Sequence, residues 1–166
     1  MPWARGEPPP VDDTMALLRR WRGEFDLDQD FVYGIFSRDE KLVLGSTGLH
    51  TRRGSEAREI GYWIHVDHVN QGYATETAAA LTRVAFEVDR VRRVEIHCVP
   101  GNARSASVPR KLGYTHEATL RQRLGSGDGT WEDDMVWSLF VDEFAGSLAA
   151  GLALQAYDAM GRKILE

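Results

Sequence analysis

The stretch "EIGYWIHVDHVNQGYATETA", residues 59–78, decides the fold, because it runs from strand to helix with little more than a turn between them. Residues 59–66 are rich in β-branched and aromatic side chains. From residue 74 to 89 the apolar positions Ala78, Leu81, Ala85 and Val88 recur as a helical stripe. Gly72 stands where that helix should begin. A glycine inside a helix costs ~1 kcal/mol against alanine. At the mouth it lets another molecule approach the free N–H groups of the first turn. A helix N-terminus carries partial positive charge, so such a visitor would be an anion. Spacing alone leaves a tight strand-to-helix connection as an equal reading.

Outward from this stretch the chain reads as one domain. Upstream, "MPWARGEPPP" is irregular, and "DDTMALLRRWRGEF" places Met15, Leu18, Trp21 and Phe25 on one helical face, with Asp12 or Asp13 as N-cap. "DFVYGIFSR" and "KLVLGSTGLH" join at Asp39-Glu40 as a hairpin, and "TRRGS" turns the chain into the strand of the opening stretch. Downstream, "RRVEIHCV" is a strand, "ARSASVPRKLG" a short helix, and "YTHEATLRQRL" and "TWEDDMVWSLF" two strands joined by "GSGDG". The tail, residues 142–166, is alanine-rich and reads as mostly helical. A strand–helix–strand unit inside an antiparallel set predicts an α/β (α+β) fold with a mixed sheet and helices packed on it.

Composition excludes several classes. The 166 residues are 43% hydrophobic and 27% charged, ordinary for a globular domain, and the net charge of −5 argues against a nucleic-acid partner. The basic runs "TRRGSEAR" and "DRVRRVE" read as solvated faces. Cys98 is the only cysteine; it alternates with Val94 and Ile96 and reads as a buried thiol, and no multi-cysteine metal site can form. His65 and His68 are three apart but have no third partner, so no metal is expected. There is no GxxxxGK[ST] loop, GxSxG elbow or HExxH pair. No apolar run reaches membrane-spanning length and no signal peptide is visible, so the expectation is a cytoplasmic protein with no membrane partner.

"NQGYATETA" resembles the acyl-CoA pyrophosphate loop of the GNAT N-acetyltransferases, written Q/R-x-x-G-x-G/A. About thirty residues on, "VPGNARSASVPRKLGY" matches the N-x-x-S…K-L-G-Y/F pattern of the branch that acetylates the N-terminal alanine of ribosomal proteins. "EIGYWI" and "DDMVWSLFVDEF" match the same branch, so the resemblance runs in order over residues 30 to 144. It implies a GNAT-like, mostly antiparallel twisted sheet with helices on both faces. The strands at 59–66 and 92–99 would open a V that takes the pantetheine arm of acetyl-CoA.

The resemblance also implies roles. Backbone N–H groups around Ile64, His65 and Val66 would hold the thioester carbonyl. Gln71, Gly72, Tyr73, Ala74 and Thr75 would bind pyrophosphate. Asn102 would hold the pantetheine arm and order the next helix, while Lys111 and Arg104 could meet CoA phosphates. Glu59 is the candidate base, with pairing to Arg58 or a neighbour as the other reading. Ser105 is the candidate hydrogen-bond donor to the leaving thiolate, and it suits a helix N-cap equally. The tyrosine that many members use as acid falls on Pro109, so that mechanism does not carry over.

Two departures stand out. Val69 and Asn70 replace the usual polar opening of the loop, and the chain, a single domain over 1–166, begins past the family's first strand and helix. A partner subunit or the "GRKILE" segment would then cover the sheet edge, which makes a homodimer the expectation. The expected activity is acetyl transfer from acetyl-CoA to a primary amine, a protein N-terminus or a small molecule, in a ternary complex. Trp3, Trp21 and Trp131 could line the acceptor pocket, and Asp128, Glu132 and Asp133 could attract a cationic acceptor or simply solvate a hairpin tip. The alternatives are a non-catalytic acyl-CoA-binding or assembly module, or transfer of a longer group such as succinyl.

Overall fold

A computed structural model describes residues 9–125 and 129–166. Trp3, Asp128 and the tip of the "GSGDG" loop lie outside the described residues. Helix α1 (Val11–Asp26) leads into a hairpin of β1 (Phe31–Phe36) and β2 (Val43–His50), and β3 (Ala57–Ile64) continues it antiparallel. The hairpin turns where expected, with Glu40 at φ +58°. Helix α2 (Tyr73–Glu87) then crosses over, so that β4 (Arg93–Cys98) lies parallel to β3. Helix α3 (Ala103–Leu112), β5 (Thr115–Gly125) and β6 (Trp131–Phe140) complete a six-stranded sheet of order β1-β2-β3-β4-β6-β5. The sheet is mixed and mostly antiparallel, as the strand–helix–strand unit implied.

Alternation along the strands decides which face is apolar. Val94, Ile96 and Cys98 of β4 are buried, as read, and meet Ala78, Leu81 and Ala85 of α2 in the core. Glu59, Glu95 and His97 occupy the alternate positions and so face the other way.

The parallel pair is short. β3 and β4 pair from Ala57↔Arg93 to Ile60↔Ile96 and no further. Beyond that point His97 and Cys98 continue in register with β6, and Gly61–Ile64 continue in register with β2. The strands therefore splay, and β3 offers an edge of backbone groups to the gap.

Three expectations are corrected. The tail is not mostly helical: α4 covers only Val141–Phe144, and Ala156–Tyr157 (β7) pairs with Lys163–Leu165 (β8) in a separate two-stranded sheet. Gly146 and Gly151 interrupt the alanines, and local propensity yields to them. The "GRKILE" strand consequently does not cover an edge of the main sheet. Helix α1 starts at Val11 behind Pro10, not on an Asp12 or Asp13 cap, and buries none of its residues; Met15 and Leu18 remain exposed. Proline suits that position because it donates no N–H and its φ is already near −65°. Phe25 at its far end packs edge-on to Phe31 and Tyr33.

Candidate functional site

The splay of β3 from β4 opens into a cleft of about 470 Å³ between β3, the loop before α2, and α3. The loop shapes one wall. Asn70 and Gly72 both take positive φ, +61° and +95°, which turns the chain out of the 3₁₀ turn Val66–His68 and into α2. No side chain caps α2 at Gly72. Thr75 and Glu76 N–H both donate to the Gly72 carbonyl at 2.9 Å, so the N–H groups of Tyr73 and Ala74 are the ones the helix leaves for an anion. A Cβ built on Gly72 would meet no protein atom within 4 Å, so the demand for glycine comes from its backbone angle and not from crowding by the protein.

The other wall is α3, and its N-terminus is capped. Asn102 Oδ1 accepts from Ser105 N at 3.1 Å, so the cap is Asn102, which removes the N-cap reading of Ser105. Ser105 is buried at the lip of the cleft. Of the residues assigned from sequence, Ile64, Gln71 to Thr75, Asn102, Ser105 and Lys111 line this space together, as does Arg104. The departures Val69 and Asn70 line it too. His65 and Val66 do not; they lie exposed at the end of β3.

Tyr62, Trp63, Ser107 and Val108 also line the cleft and escaped the sequence reading. Tyr62 O–H donates to the Ser105 carbonyl at 3.0 Å, and Ser105 Oγ lies 3.3 Å from the same phenol. Burial pushes the Tyr62 phenol above its ordinary pKa, against the Ser105 hydrogen bond, so it stays protonated. The apolar-aromatic alternation of "GYWI" signalled a strand but could not say that one aromatic would reach across to α3.

Glu59 faces away from this wall and is buried among charges. Arg52 Nη2 bonds Glu59 Oε1, and Arg53 Nε donates to Oε2 at 2.6 Å. Arg58, the neighbour considered from sequence, instead pairs with Asp89 at 2.8 Å. Glu59 stands directly opposite Glu95 in the ladder, a like-charge pair that Arg53 bridges at 2.6 and 3.5 Å. Burial acts to raise the Glu59 pKa, but the Arg52 hydrogen bond and the nearby Arg52, His97 and Arg53 charges hold it below the ordinary carboxylate value.

His97 ties this cluster together. Its Nδ1 lies 2.7 Å from Asp134 Oδ2 and its Nε2 2.9 Å from Glu95 Oε2. Carboxylate oxygens accept, so the two contacts together favour the ring with a proton on each nitrogen. Burial alone would lower its pKa; the bonds to Asp134 and Glu95 and the Glu59 charge raise it instead. The 3.3 Å contact of Arg53 Nη2 with Nδ1 then joins two donors, and we read it as packing of cations over shared carboxylates. Asp134 Oδ1 is buried without a hydrogen-bond partner among the described residues.

A second hollow of about 640 Å³ lies beside residues 150–155, but its Arg83 is spent on Glu87 and on the carbonyls of Leu152 and Glu166. Among the described residues no cluster of three or more metal-ligating side chains occurs, and no helix is long and apolar enough to cross a membrane. His65 and His68 stack loosely at 5.8 Å between ring centres.

Comparison with known proteins agrees with this layout. The family described as acetyltransferase (GNAT) domain matches residues 1–115. The chain is 25% identical over 133 residues to the uncharacterized N-acetyltransferase YnaD of Bacillus subtilis strain 168, covering 80% of this chain and 75% of that one. It is 29% identical over 152 residues to the ribosomal protein uS5-alanine N-acetyltransferase of Escherichia coli strain K12, covering 86% and 76%. In fold it matches RimL, a ribosomal L7/L12 alpha-N-protein acetyltransferase solved in complex with coenzyme A, at a TM-score of 0.70 and 23% identity, over 81% of this chain and 75% of that one.

Proposed function

The chain belongs to the GNAT acetyltransferase family and is an N-acetyltransferase, and on that premise we propose that it moves an acetyl group from acetyl-CoA directly to a primary amine in a ternary complex. The observation that carries this reading is the cleft itself. An uncapped helix N-terminus, a free strand edge and a buried serine line one space in the order that acetyl-CoA needs.

The pyrophosphate sits on the first turn of α2, from Gln71 to Thr75, and the pantetheine arm runs along the unpaired edge of β3 past Asn102. The backbone N–H groups of Ile64 and Val66 polarise the thioester carbonyl and meet the tetrahedral oxyanion, whereas that of His65 is spent on the Leu44 carbonyl at 2.8 Å. The amine must arrive neutral, and Glu59 takes its proton, directly or through a water. The same arginines that keep Glu59 ionised also weaken it as a base. The role therefore needs Arg52, whose side chain is 57% exposed, to turn toward solvent as the acceptor arrives. Collapse of the intermediate expels CoA thiolate toward Ser105.

The acceptor is a protein N-terminus, as for the uS5-alanine relative, or a small amine. The site residues, the cytoplasmic location and the dimer belong to the same proposal. β1 borders the sheet, and the exposed stripe Val11, Met15 and Leu18 on α1 adds apolar surface, which together favour pairing of two copies. The test is release of free CoA thiol from acetyl-CoA with alanine-initiated peptides and simple primary amines. Amine-dependent release, slowed by Glu59→Gln without loss of acetyl-CoA binding, is the expected result. Binding without any amine-dependent release would leave a CoA-binding module and reject the transferase reading.

A further inference from the structure

The place of Pro109 in α3 has a consequence four residues upstream. In a helix the N–H of residue 109 would donate to the carbonyl of residue 105. Proline has no N–H, so the Ser105 carbonyl has no helical donor from that position. Tyr62 supplies one, its phenol donating at 3.0 Å from β3, a separate element.

The position of Tyr62 makes this bond more than a repair. Tyr62 lies two residues beyond Ile60, the last β3 residue paired with β4, where the splay has begun. Its side chain therefore ties β3 to the first turns of α3 beside the open slot. The hydroxyl of Ser105 approaches the same phenol at 3.3 Å, long for an O–H···O bond. That bond is the weaker of the two and can give way to a better acceptor, with Cys98 as the other neighbour of the hydroxyl, whereas the bond to the carbonyl is the shorter. Burial keeps the phenol protonated, so Tyr62 is a donor and not an acid that gives its proton away. Cys98 is also buried, and burial pushes its thiol pKa upward, so it remains neutral beside Ser105.

We propose that Tyr62 is a positioning residue for the departing CoA sulfur: by anchoring the Ser105 carbonyl that Pro109 leaves open, it sets the Ser105 hydroxyl and the N-terminus of α3 toward the thiolate. The proposal rests on the cleft being the acetyl-CoA site. It assigns the leaving-group side of the reaction to a pair, Ser105 in contact with sulfur and Tyr62 acting through it.

The test needs no acceptor. CoA is bound to the protein and its thiolate absorbance is followed against pH, with the S-methyl-CoA complex subtracted to remove tyrosine and cysteine signals. In the wild type the bound thiol should ionise below free CoA. Tyr62→Phe and Ser105→Ala should each raise that pKa by about one unit, the scale of one hydrogen bond to a charged atom. The double variant should raise it no further than Ser105→Ala alone. The dissociation constant for S-methyl-CoA, which has no thiol to ionise, should move less than about threefold; a merely structural role would move it with the rest.

A folded Tyr62→Phe variant with the wild-type thiol pKa, or an effect that adds to that of Ser105→Ala, overturns the proposal. Should Tyr62→Phe fail to fold, Pro109→Ala takes its place. It gives the Ser105 carbonyl a backbone N–H that competes with the phenol, and the bound-thiol pKa should move; an unchanged value overturns the proposal equally. Failure of CoA to bind overturns it together with the cofactor reading. A shifted thiol without amine-dependent turnover sustains it and rejects only the transferase reading.

Discussion

Replacing Glu59 by Gln tests the charged cluster through stability before it tests catalysis. The substitution keeps the shape and removes one charge that faces two arginines. Breaking a pair sealed from water costs ~3–5 kcal/mol. Here the cations left behind can hydrate in part, with the Arg52 and Arg53 side chains 57% and 35% exposed, and the repulsion between Glu59 and Glu95 is relieved. The expected loss at neutral pH is accordingly about 2 kcal/mol, the scale of a hydrogen bond to a charged group. For a domain of this size that lowers Tm by about 4–8 °C.

The pH dependence gives the sharper check on Glu59. Its folded pKa lies below the ordinary carboxylate value, so its contribution is present above that value and is lost as pH falls through the folded pKa. Wild-type and variant melting curves, recorded by circular dichroism from neutral to acid pH, should differ at pH 7 and converge at low pH, where Glu59 is protonated and resembles glutamine. A gap of the same size at both ends would mean that the arginines contribute nothing to Glu59 by charge. Coincident curves at pH 7 would mean that the ion pairs carry no net stability.

The remaining predictions probe other parts of the same site. His97→Gln should show the opposite pH trend: the His97 contribution is full below the unfolded value of 6.5 and fades as pH rises through its raised folded pKa, so the Tm gap to wild type should be widest near about pH 6 and shrink in alkali. Gly72→Ala forces a side chain to φ +95°, which should cost ~1–2 kcal/mol in a thermal melt. Because its Cβ meets no protein atom, a drop in acetyl-CoA affinity of several-fold by calorimetry would report close approach of the ligand itself, and unchanged affinity would reject that approach. Gly45→Ala should destabilise by ~1–3 kcal/mol, since its Cβ would press on the Trp63 carbonyl across the β2–β3 ladder; an unaltered Tm would contradict the register drawn there.

What sequence could reveal divides along the range of the interactions. The strand–turn–helix at 59–87 was legible because period, β-branching and one glycine are local properties; that Gly72 would take a left-handed angle at the mouth of α2 was not part of that reading. The alanine-rich tail misled because propensity is a weak prior, and two glycines with a short β7–β8 pairing outweigh it. The stripe on α1 was real as a pattern but did not imply burial, since nothing among the described residues covers Met15 and Leu18 closely. Glu59 could be chosen from a motif, but Arg52 and Arg53 reach it across a turn, and His97 reaches Asp134 across a strand pair. Those partners depend on register, which spacing does not show.

In the proposed reaction, the same splay that makes the cleft would set donor and acceptor chemistry on different faces. Side chains alternate across β3, so Glu59 and Tyr62, three apart, must point to opposite sides of the sheet. Tyr62 turns to α3 and the serine there; Glu59 turns to Arg52, Arg53 and the His97 cluster. Past Ile60 a gap connects the two faces, because the β3–β4 register has ended there. On the proposed function, a thioester lying in that gap would be met by Ser105 from one face and by the amine from the other. The like charges Glu59 and Glu95 flank the last rungs before the gap, and Arg53 joins them. Loosening Arg53 would therefore disturb the acceptor face while leaving α2 and α3 untouched. Arg53→Met should accordingly raise KM for the amine and leave the acetyl-CoA dissociation constant unchanged in steady-state and calorimetric measurements. Parallel loss of both affinities would show that the two faces are not separate.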